Sequence, residues 1–386
     1  MDNNRKYRIA LVIKTEGLEY DDRVRKEILT IQKLYPNITF KIHAIIDNDN
    51  RNYEGITTYG VPYKTYYLRS REKYGAAKGL VLKSLEFYTA MAKDIKPYDA
   101  IWCGDYHSFL VAAMVKQNKL LWDLHELPGL LLAKRPLRWL LKYIFLRCRL
   151  VVHANPQRAE YLQKIGIIKD MAKHYAIRNY PNFNDVDPVY DDNYRKFVEW
   201  KAGRKCIYLQ GLNDDSRSAY ESVSAVLKTK DLVAVVIGNF DQSSGLRLSQ
   251  EWGEELADRI CFIGRVPQLK IPQYVAECVT TLVFYKNVRP NNYYCEANRF
   301  YQSVILGLPV VVGNNPPMRE LVEKYGFGVS IDDDGGDIQK IQQGIQNIFA
   351  NYETYRDNNL KHRQNIIWDN QEPVFKEIIE KLLGKN

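Results

Sequence analysis

The chain has 386 residues, of which 46% are hydrophobic and 26% charged, a globular composition that excludes wholesale disorder and leaves room for two domains. Its formal net charge of +9 indicates an anionic partner, such as nucleic acid, anionic lipid or a phosphorylated small molecule. No apolar run reaches the roughly 18 residues that a membrane span needs, no signal-peptide pattern opens the chain, and the scattered cysteines give no support for a zinc site.

The first half of the chain alternates apolar strands with helical patterns. A helix is predicted over 21–34, and the predicted strands cover 7–14, 40–47, 62–68, 99–104, 119–126 and 150–155. Strands separated by helices form right-handed crossovers, and therefore a parallel sheet. Several of these strands are continuously apolar, as expected for strands that are covered on both faces.

The pattern breaks over 184–204, a polar stretch that we interpret as an interdomain connection. A second series of strands follows at 206–211, 232–238, 260–265, 280–286, 308–313 and 328–332, and the last fifty residues are predicted to be helical. The sequence therefore predicts an α/β protein with two doubly wound Rossmann-like domains, 1–190 and 191–365, and a C-terminal helix, 366–386, that crosses back to the first domain. In such sheets ligands bind beyond the carboxyl ends of the strands, so we expect a site in a cleft where the two domains face each other.

A helix predicted over 297–306 opens with four polar residues that share one arc: Glu296, Asn298, Arg299 and Gln302. A guanidinium group and free amides at a helix start suit a phosphate, while carboxylate and amide groups suit ribose or sugar hydroxyls. The alternative is a capped surface helix with an ion pair between Glu296 and Arg299.

A polar loop follows the strand that ends at Gly211. Arg217 lies in this loop, just before a helix, where it could reach a diphosphate. The alternative is an ordinary solvated arginine.

Three polar residues, Asp123, His125 and Glu126, leave the end of another apolar strand. A histidine between acids can be oriented and its pKa adjusted, which favours a functional site. A structural histidine is the alternative.

Two further strand ends carry weaker candidates. Gly17 lies in the first turn after a strand, where the backbone can approach a ligand closely, and the Asp residues at 21 and 22 are typical of a helix cap. Asp105 and His107 follow the strand over 99–104 and are candidates for contact with an acceptor, or simply helix-start residues.

A basic segment covers 131–149. Its cations are Lys134, Arg135, Arg138, Lys142, Arg147 and Arg149, and aromatic residues lie among them. This composition is typical of a helix on an anionic membrane surface. The alternative is a helix packed on the sheet with a solvated basic face.

Taken in order, these motifs resemble the GT-B-fold retaining glycosyltransferases of family 4, the group 1 transferases. That family carries Pro-Asn-Lys-x-Phe-Glu before Ala-Gly-Leu-Pro-Val-Val, and this chain has "EANRFYQSVILGLPVVV", in which Asn298, Arg299 and Gln302 stand for the Asn, Lys and Glu. The segment "YLQGLNDDSR" is similar to the family's phosphate loop, and "LLWDLHE" resembles the strand end with the histidine beside the donor sugar. The family's pair of glutamates would fall at 294 and 302, where this chain has Tyr294 and Gln302.

The resemblance implies transfer of a sugar, with retained configuration, from a UDP-, GDP- or TDP-sugar to an acceptor hydroxyl. The first domain would bind the acceptor and the second the nucleotide sugar. Arg217 and Arg299 would hold the diphosphate, Gln302 the ribose, and His125 the donor sugar. No metal and no cofactor would be needed, and no nucleic acid would bind.

The implied product is a surface polysaccharide or a lipid-linked glycan, made in the cytoplasm or peripherally on the inner face of the membrane. Two alternatives remain: a GT-B-fold UDP-sugar epimerase, and a non-catalytic basic protein that binds a nucleotide or lipid.

Overall fold

The computed structural model describes residues 5–19, 21–75, 79–115, 119–182, 190–267 and 270–384. Contacts between residues divide the chain into two compact units. Unit 1 consists of Met1–Asn179 and Gln371–Asn386, and unit 2 of Tyr180–Asn370. Each unit is built on one mainly parallel sheet covered by helices, so the predicted α/β class is confirmed.

Unit 1 contains an eight-stranded sheet in the order β3-β4-β2-β1-β5-β6-β7-β8. Its strands are β1 Tyr7–Thr15, β2 Ile38–Ile46, β3 Glu54–Ile56, β4 Pro62–Thr65, β5 Ala100–Gly104, β6 Leu120–Leu124, β7 Leu150–His153 and β8 His174–Ala176. Strand β1 pairs in parallel with β2 and β5 at the centre, and Ile9, Ala10 and Val12 in it are fully buried. Among the described strands only β3 and β4 pair antiparallel.

The helices of unit 1 are α1 Asp22–Leu34, α2 Arg69–Tyr74, α3 Leu80–Met91, α4 Phe109–Met114, α5 Gly129–Ala133, α6 Arg135–Arg147, α7 Pro156–Lys164 and α18 Glu372–Leu383. Helix α1 begins where Asp21 accepts a hydrogen bond from the Val24 amide, so the predicted cap is confirmed. No helix in the described part of the chain is both long and apolar enough to cross a membrane.

Unit 2 contains a six-stranded, wholly parallel sheet in the order β11-β10-β9-β12-β13-β14. Its strands are β9 Lys205–Gln210, β10 Leu232–Ile237, β11 Ile260–Gly264, β12 Thr280–Val283, β13 Val310–Val312 and β14 Gly328–Ser330. Each of the six strands predicted for this half of the chain is present. Central strands β9 and β12 therefore end at the same edge of the sheet.

The helices of unit 2 are α8 Asp192–Lys201, α9 Ala219–Leu227, α10 Gln242–Trp252, α11 Glu254–Arg259, α12 Ile271–Ala276, α13 Pro290–Tyr293, α14 Asn298–Ile305, α15 Pro316–Tyr325, α16 Ile338–Ala350 and α17 Tyr352–His362. Helix α14 is the helix predicted over 297–306. Phe300, Val304 and Ile305 on its apolar side are buried in the core, and Gly307 follows it with a φ of +80° that favours glycine.

The stretch over 184–204 is not simply a connection. Helix α8 begins after Asp191, which accepts a hydrogen bond from the Tyr194 amide, and Phe197 from this helix is 1% exposed. Phe197 is the only fully buried side chain of the helix, so its apolar pattern was too weak to predict it. Residues 183–189 of the stretch lie outside the described part of the chain.

Candidate functional site

Two arginine side chains meet at the carboxyl end of β9. Gly211, which directly follows this strand, has a φ of +64°, and its carbonyl accepts hydrogen bonds from Arg217 Nη1 at 2.9 Å and from Arg299 Nη1 at 3.3 Å. A Cβ atom at position 211 would lie 3.3 Å from Arg217 Nη1 and 3.4 Å from Arg299 Nη1. Glycine therefore suits both the backbone conformation and the close approach of the two guanidinium groups.

Arg299 is a buried cation, with an exposed fraction of 5%. Its Nη1 donates to the Gln210 carbonyl at 2.7 Å, its Nη2 donates to the Phe284 carbonyl at 3.3 Å, and its Nε has no hydrogen-bond partner. Within the described ranges it forms no ion pair with a carboxylate. Burial lowers the pKa of Arg299, and the nearby charge of Arg217 also lowers it, while Tyr285 acts in the opposite direction. A buried guanidinium without a counter-ion is a strong attractor for an anion.

Arg217 closes a short 3-10 turn, Asp215–Arg217, before helix α9. Its side chain is 31% exposed, and its Nε lies 3.6 Å from a carboxylate oxygen of Asp214. The ring of Tyr285 lies beside both arginines, with its centroid 5.5 Å from Cζ of Arg217 and 5.2 Å from Cζ of Arg299. The sequence analysis did not identify Tyr285. This residue follows the apolar run of β12, and the other candidates were found because they too follow apolar strands.

The remaining residues predicted around helix α14 lie at its start or along it. Asn298 is exposed and Gln302 is partly buried. Glu296 precedes the helix and accepts a hydrogen bond of 2.5 Å from the hydroxyl of Tyr301, which lies on it. Arg299 differs from these residues, because its side chain is buried and donates to the Gln210 and Gly211 carbonyls instead of lining an exposed polar arc.

Unit 1 contains a buried ionic cluster at the end of β6. Arg23 Nη2 donates to Asp123 Oδ1 at 2.9 Å, and Arg23 Nε lies 2.9 Å from Glu27 Oε1. His125 Nε2 lies 3.2 Å from Asp123 Oδ2. Asp123 is fully buried, whereas the His125 side chain is 21% exposed. Within this cluster the imidazole is therefore partly accessible to solvent, while the charged groups of Arg23 and Asp123 are buried.

The charge states in this cluster follow from the contacts. Burial opposes the charged form of His125, but the charge and hydrogen bond of Asp123 outweigh it and raise the pKa of His125 to about 9. Burial likewise opposes ionisation of Asp123, yet the charges of Arg23 and His125 hold its pKa well below the usual range. Burial and the Asp123 charge raise the pKa of Glu27 well above its usual value. At neutral pH His125 is therefore an imidazolium.

Glu27, Asp123 and His125 could in geometry hold a metal ion, since each offers an atom within 4.8 Å of the others. Arg23 already pairs with both carboxylates, and the imidazole is held in its charged form. A divalent cation would have to displace one positive charge and deprotonate another, so this chemistry disfavours a metal. The prediction that the protein needs no metal stays a prediction.

The other sequence candidates of unit 1 lie at neighbouring strand ends. Asp105 Oδ2 lies 2.8 Å from His107 Nδ1, and the backbone amide of Asp105 donates to the Asp123 carbonyl. Glu126 is exposed, and Gly17 lies in the turn after β1, where its amide lies 3.3 Å from the Thr15 hydroxyl. Asp105 and His107 therefore lie close to the ionic cluster, while the predicted roles of Glu126 and Gly17 stay predictions.

No family model and no curated protein matches this sequence. Several solved structures do match the fold of this chain. Sucrose-phosphate synthase from Thermosynechococcus elongatus matches with a TM-score of 0.74 and 16% identity, over 98% of this chain and 99% of its own. HepE from Anabaena, solved with UDP and glucose, matches with a TM-score of 0.74 and 14% identity over 97% and 99%. The UDP-forming α,α-trehalose-phosphate synthase from Burkholderia vietnamiensis matches with a TM-score of 0.71 and 13% identity over 98% of each chain. Together with the two mainly parallel sheets, this likeness over nearly the whole length shows that the chain has the GT-B fold that its sequence predicts.

Proposed function

We propose that this protein is a retaining glycosyltransferase, which moves a sugar from a nucleoside-diphosphate sugar to an acceptor hydroxyl. The observation that carries the proposal is the pair of guanidinium groups at Gly211, one of them buried without a carboxylate partner. Asp214 lies 3.6 Å from Arg217, and a diphosphate would supply the negative charge that Arg299 lacks. The carboxyl edge of a parallel sheet is also where α/β proteins bind nucleotides.

In the proposed reaction the bond between the anomeric carbon and the diphosphate oxygen breaks, and the acceptor oxygen bonds to that carbon from the same face. The acceptor proton passes to an oxygen of the departing diphosphate. Arg217 and Arg299 stabilise the negative charge that develops on the leaving group. Both groups are already held by backbone carbonyls, so little reorganisation is needed during the reaction.

Three further residues have proposed roles in donor binding. Gln302 pairs with ribose hydroxyls through its amide, and Glu296 lies near the sugar. His125, kept charged by Asp123, donates a hydrogen bond to a hydroxyl of the donor sugar. HepE was solved with UDP and glucose, and the Burkholderia synthase is described as UDP-forming, which supports a uridine nucleotide as the first donor to test.

We also propose that the protein binds peripherally to anionic membranes through helix α6. Trp139, Tyr143 and Leu146 follow one another at i, i+4 and i+7, and their exposed fractions are 74%, 47% and 75%. Lys142 Nζ lies 5.6 Å from the centroid of the Trp139 ring, and Arg147 Nη1 donates to the Tyr143 hydroxyl at 2.9 Å. An exposed apolar stripe with flanking cations is typical of a helix that lies in a membrane interface. A lipid-linked or polysaccharide acceptor would fit this location.

The first test is a thermal-shift screen of the full chain with UDP, GDP, TDP and their sugars, followed by product analysis with the donor that stabilises most. Transfer to an added acceptor, with the anomeric configuration retained, is the expected result. Conversion of the sugar without any acceptor would identify an epimerase. Stabilisation by a nucleotide without turnover of any donor would identify a binding protein.

A further inference from the structure

One aromatic ring lies close to both cations of the candidate diphosphate site. The ring belongs to Tyr285, which follows strand β12 at the carboxyl edge of the sheet of unit 2 and is 9% exposed. Its centroid lies 5.5 Å from Cζ of Arg217 and 5.2 Å from Cζ of Arg299. Both distances are within the roughly 6 Å at which the π electrons of an aromatic ring attract a cation. Tyr285 can therefore act on the two arginines together.

The backbone on either side of Tyr285 is bonded to the segments that carry the two arginines. The Phe284 carbonyl accepts a hydrogen bond from Arg299 Nη2 at 3.3 Å. The Lys286 amide donates to the Ser216 carbonyl at 2.7 Å, and Ser216 lies in the 3-10 turn that ends in the other arginine. The ring thus projects from a segment that is fixed to both of its cationic neighbours.

The ring attracts the two cations without neutralising them. Burial, with the nearby Cys295, raises the pKa of Tyr285 to about 12 against the charges of Arg217 and Arg299, so the phenol carries no charge at neutral pH. A carboxylate in the same place would form ion pairs with the guanidinium groups and occupy their N–H donors. An aromatic ring instead offsets part of the repulsion between the arginines and leaves their net charge for an anion.

We propose that Tyr285 is a positioning residue, whose ring holds the guanidinium groups of Arg217 and Arg299 together so that they bind a diphosphate. The identification of this diphosphate as part of a nucleotide sugar rests on the proposed glycosyl transfer, whereas the positioning role does not. Without the ring, the two like charges would be free to separate, and an anion would have to bring them together again. Groups that are already in place avoid this cost on binding.

The test measures the affinity of the full chain for UDP and for inorganic pyrophosphate by calorimetry. Tyr285→Leu removes the ring and keeps an apolar side chain, and Tyr285→Phe keeps the ring. We expect both affinities to fall about tenfold in the leucine variant, as for loss of two cation–π contacts, and to stay within about twofold in the phenylalanine variant. Thermal unfolding checks that both variants fold.

Tyr220→Leu is the matched control. Tyr220 is a buried tyrosine of the same unit, 8% exposed, and its ring centroid lies 3.6 Å from Cζ of Arg247. The Arg247 side chain is 60% exposed and pairs with Glu251. This substitution therefore removes a comparable ring and cation contact outside the arginine pair, and both affinities should stay unchanged.

A double-mutant cycle separates positioning of the arginines from a general packing role. In an Arg299→Ala background the ring has one of its two cations left, so Tyr285→Leu should weaken pyrophosphate binding only about threefold. A ring that merely fills space would give the same loss in both backgrounds.

Equal affinities of Tyr285→Leu and the unmodified chain would overturn the proposal. A phenylalanine variant as weak as the leucine variant would also overturn it, as would an undiminished tenfold loss with alanine at position 299. Pyrophosphate binding that depends on Tyr285 in a chain that does not bind UDP would overturn the proposed transferase function alone. Failure to bind either ligand would overturn both proposals.

Discussion

Arg217 and Arg299 donate to the same acceptor, the carbonyl oxygen of Gly211, at 2.9 and 3.3 Å. Two like charges are thus held within a few ångströms of each other, and one of them is buried. Backbone carbonyls orient the pair but do not neutralise it. Binding of an anion to these two guanidinium groups should therefore raise the free energy of unfolding.

Replacement of Arg217 by alanine should weaken UDP binding by about 2 kcal/mol, the cost of one charge-assisted contact. Replacement of Arg299 should weaken it at least as much, because that guanidinium is buried. Isothermal calorimetry measures both. Arg319→Ala is the matched control, since Arg319 pairs with Glu323 on the exposed side of α15. Unchanged affinity in both site variants would remove the diphosphate assignment.

Replacement of Gln302 by alanine should raise the donor KM about tenfold, the loss of about 1.4 kcal/mol of hydrogen bonding. Its amide can accept and donate to ribose hydroxyls, whereas alanine can do neither. Gln302→Glu keeps an acceptor at the same position and should stay active. Steady-state kinetics on both variants tests whether Gln302 binds the ribose. An alanine variant with unaltered KM and kcat would contradict that role.

The charge of His125 should make the stability of the protein pH-dependent. Its folded pKa of about 9 lies above the ordinary value of 6.5, so its contribution is fully present below pH 6.5 and is lost as the pH rises through 9. The loss between pH 6 and pH 9.5 should be about 3 kcal/mol. Urea unfolding at pH 6 and pH 9.5 measures it, and the His125→Gln variant should lose less stability over that interval.

A second readout isolates the cause of this shift. An NMR titration of the His125 ring in Asp123→Asn should give a lower pKa than in the unmodified chain, because the negative charge that favours the imidazolium is gone. An equal pKa in both proteins would show that Asp123 does not set the charge of His125.

Turnover should survive EDTA. Arg23 already pairs with Glu27 and Asp123, the carboxylates of the cluster that has metal-binding geometry, and the arginine pair at Gly211 supplies positive charge at the proposed diphosphate site. Activity assays before and after chelation test this. Loss of activity with EDTA and recovery with Mn²⁺ or Mg²⁺ would show that the protein depends on a metal.

Binding to liposomes should require anionic lipid and decrease with salt, since each basic residue near such a surface contributes about 1 kcal/mol. Sedimentation with vesicles measures it. Alanine at Trp139 and Leu146 should reduce binding, and Leu246→Ala should not, although Leu246 on α10 is 67% exposed. Equal binding to neutral and anionic vesicles would contradict the membrane proposal.

The strands of both sheets were predictable because buried parallel strands are continuous apolar runs, as in Leu232–Ile237. The same reasoning located Gly211 and Asp123, which lie where such runs end. It missed β3 and β8, three-residue strands with no fully buried position, because an apolar pattern needs buried side chains. It also missed the partnership of Arg23 with Asp123, since these residues lie 100 positions apart and only the folded sheet brings them together.

Helix α18 belongs to unit 1, although 191 residues of unit 2, from Tyr180 to Asn370, precede it in the chain. Phe375, Ile378, Ile379 and Leu382 of this helix are fully buried, and Lys33 of α1 pairs with Glu372. During synthesis, the first 179 residues leave the ribosome without the helix that covers part of their core, while unit 2 is complete before that helix is made. Folding of unit 1 can therefore be completed only after unit 2 has been synthesised. A chain that ends before Gln371 would leave apolar surface of unit 1 exposed and prone to aggregation.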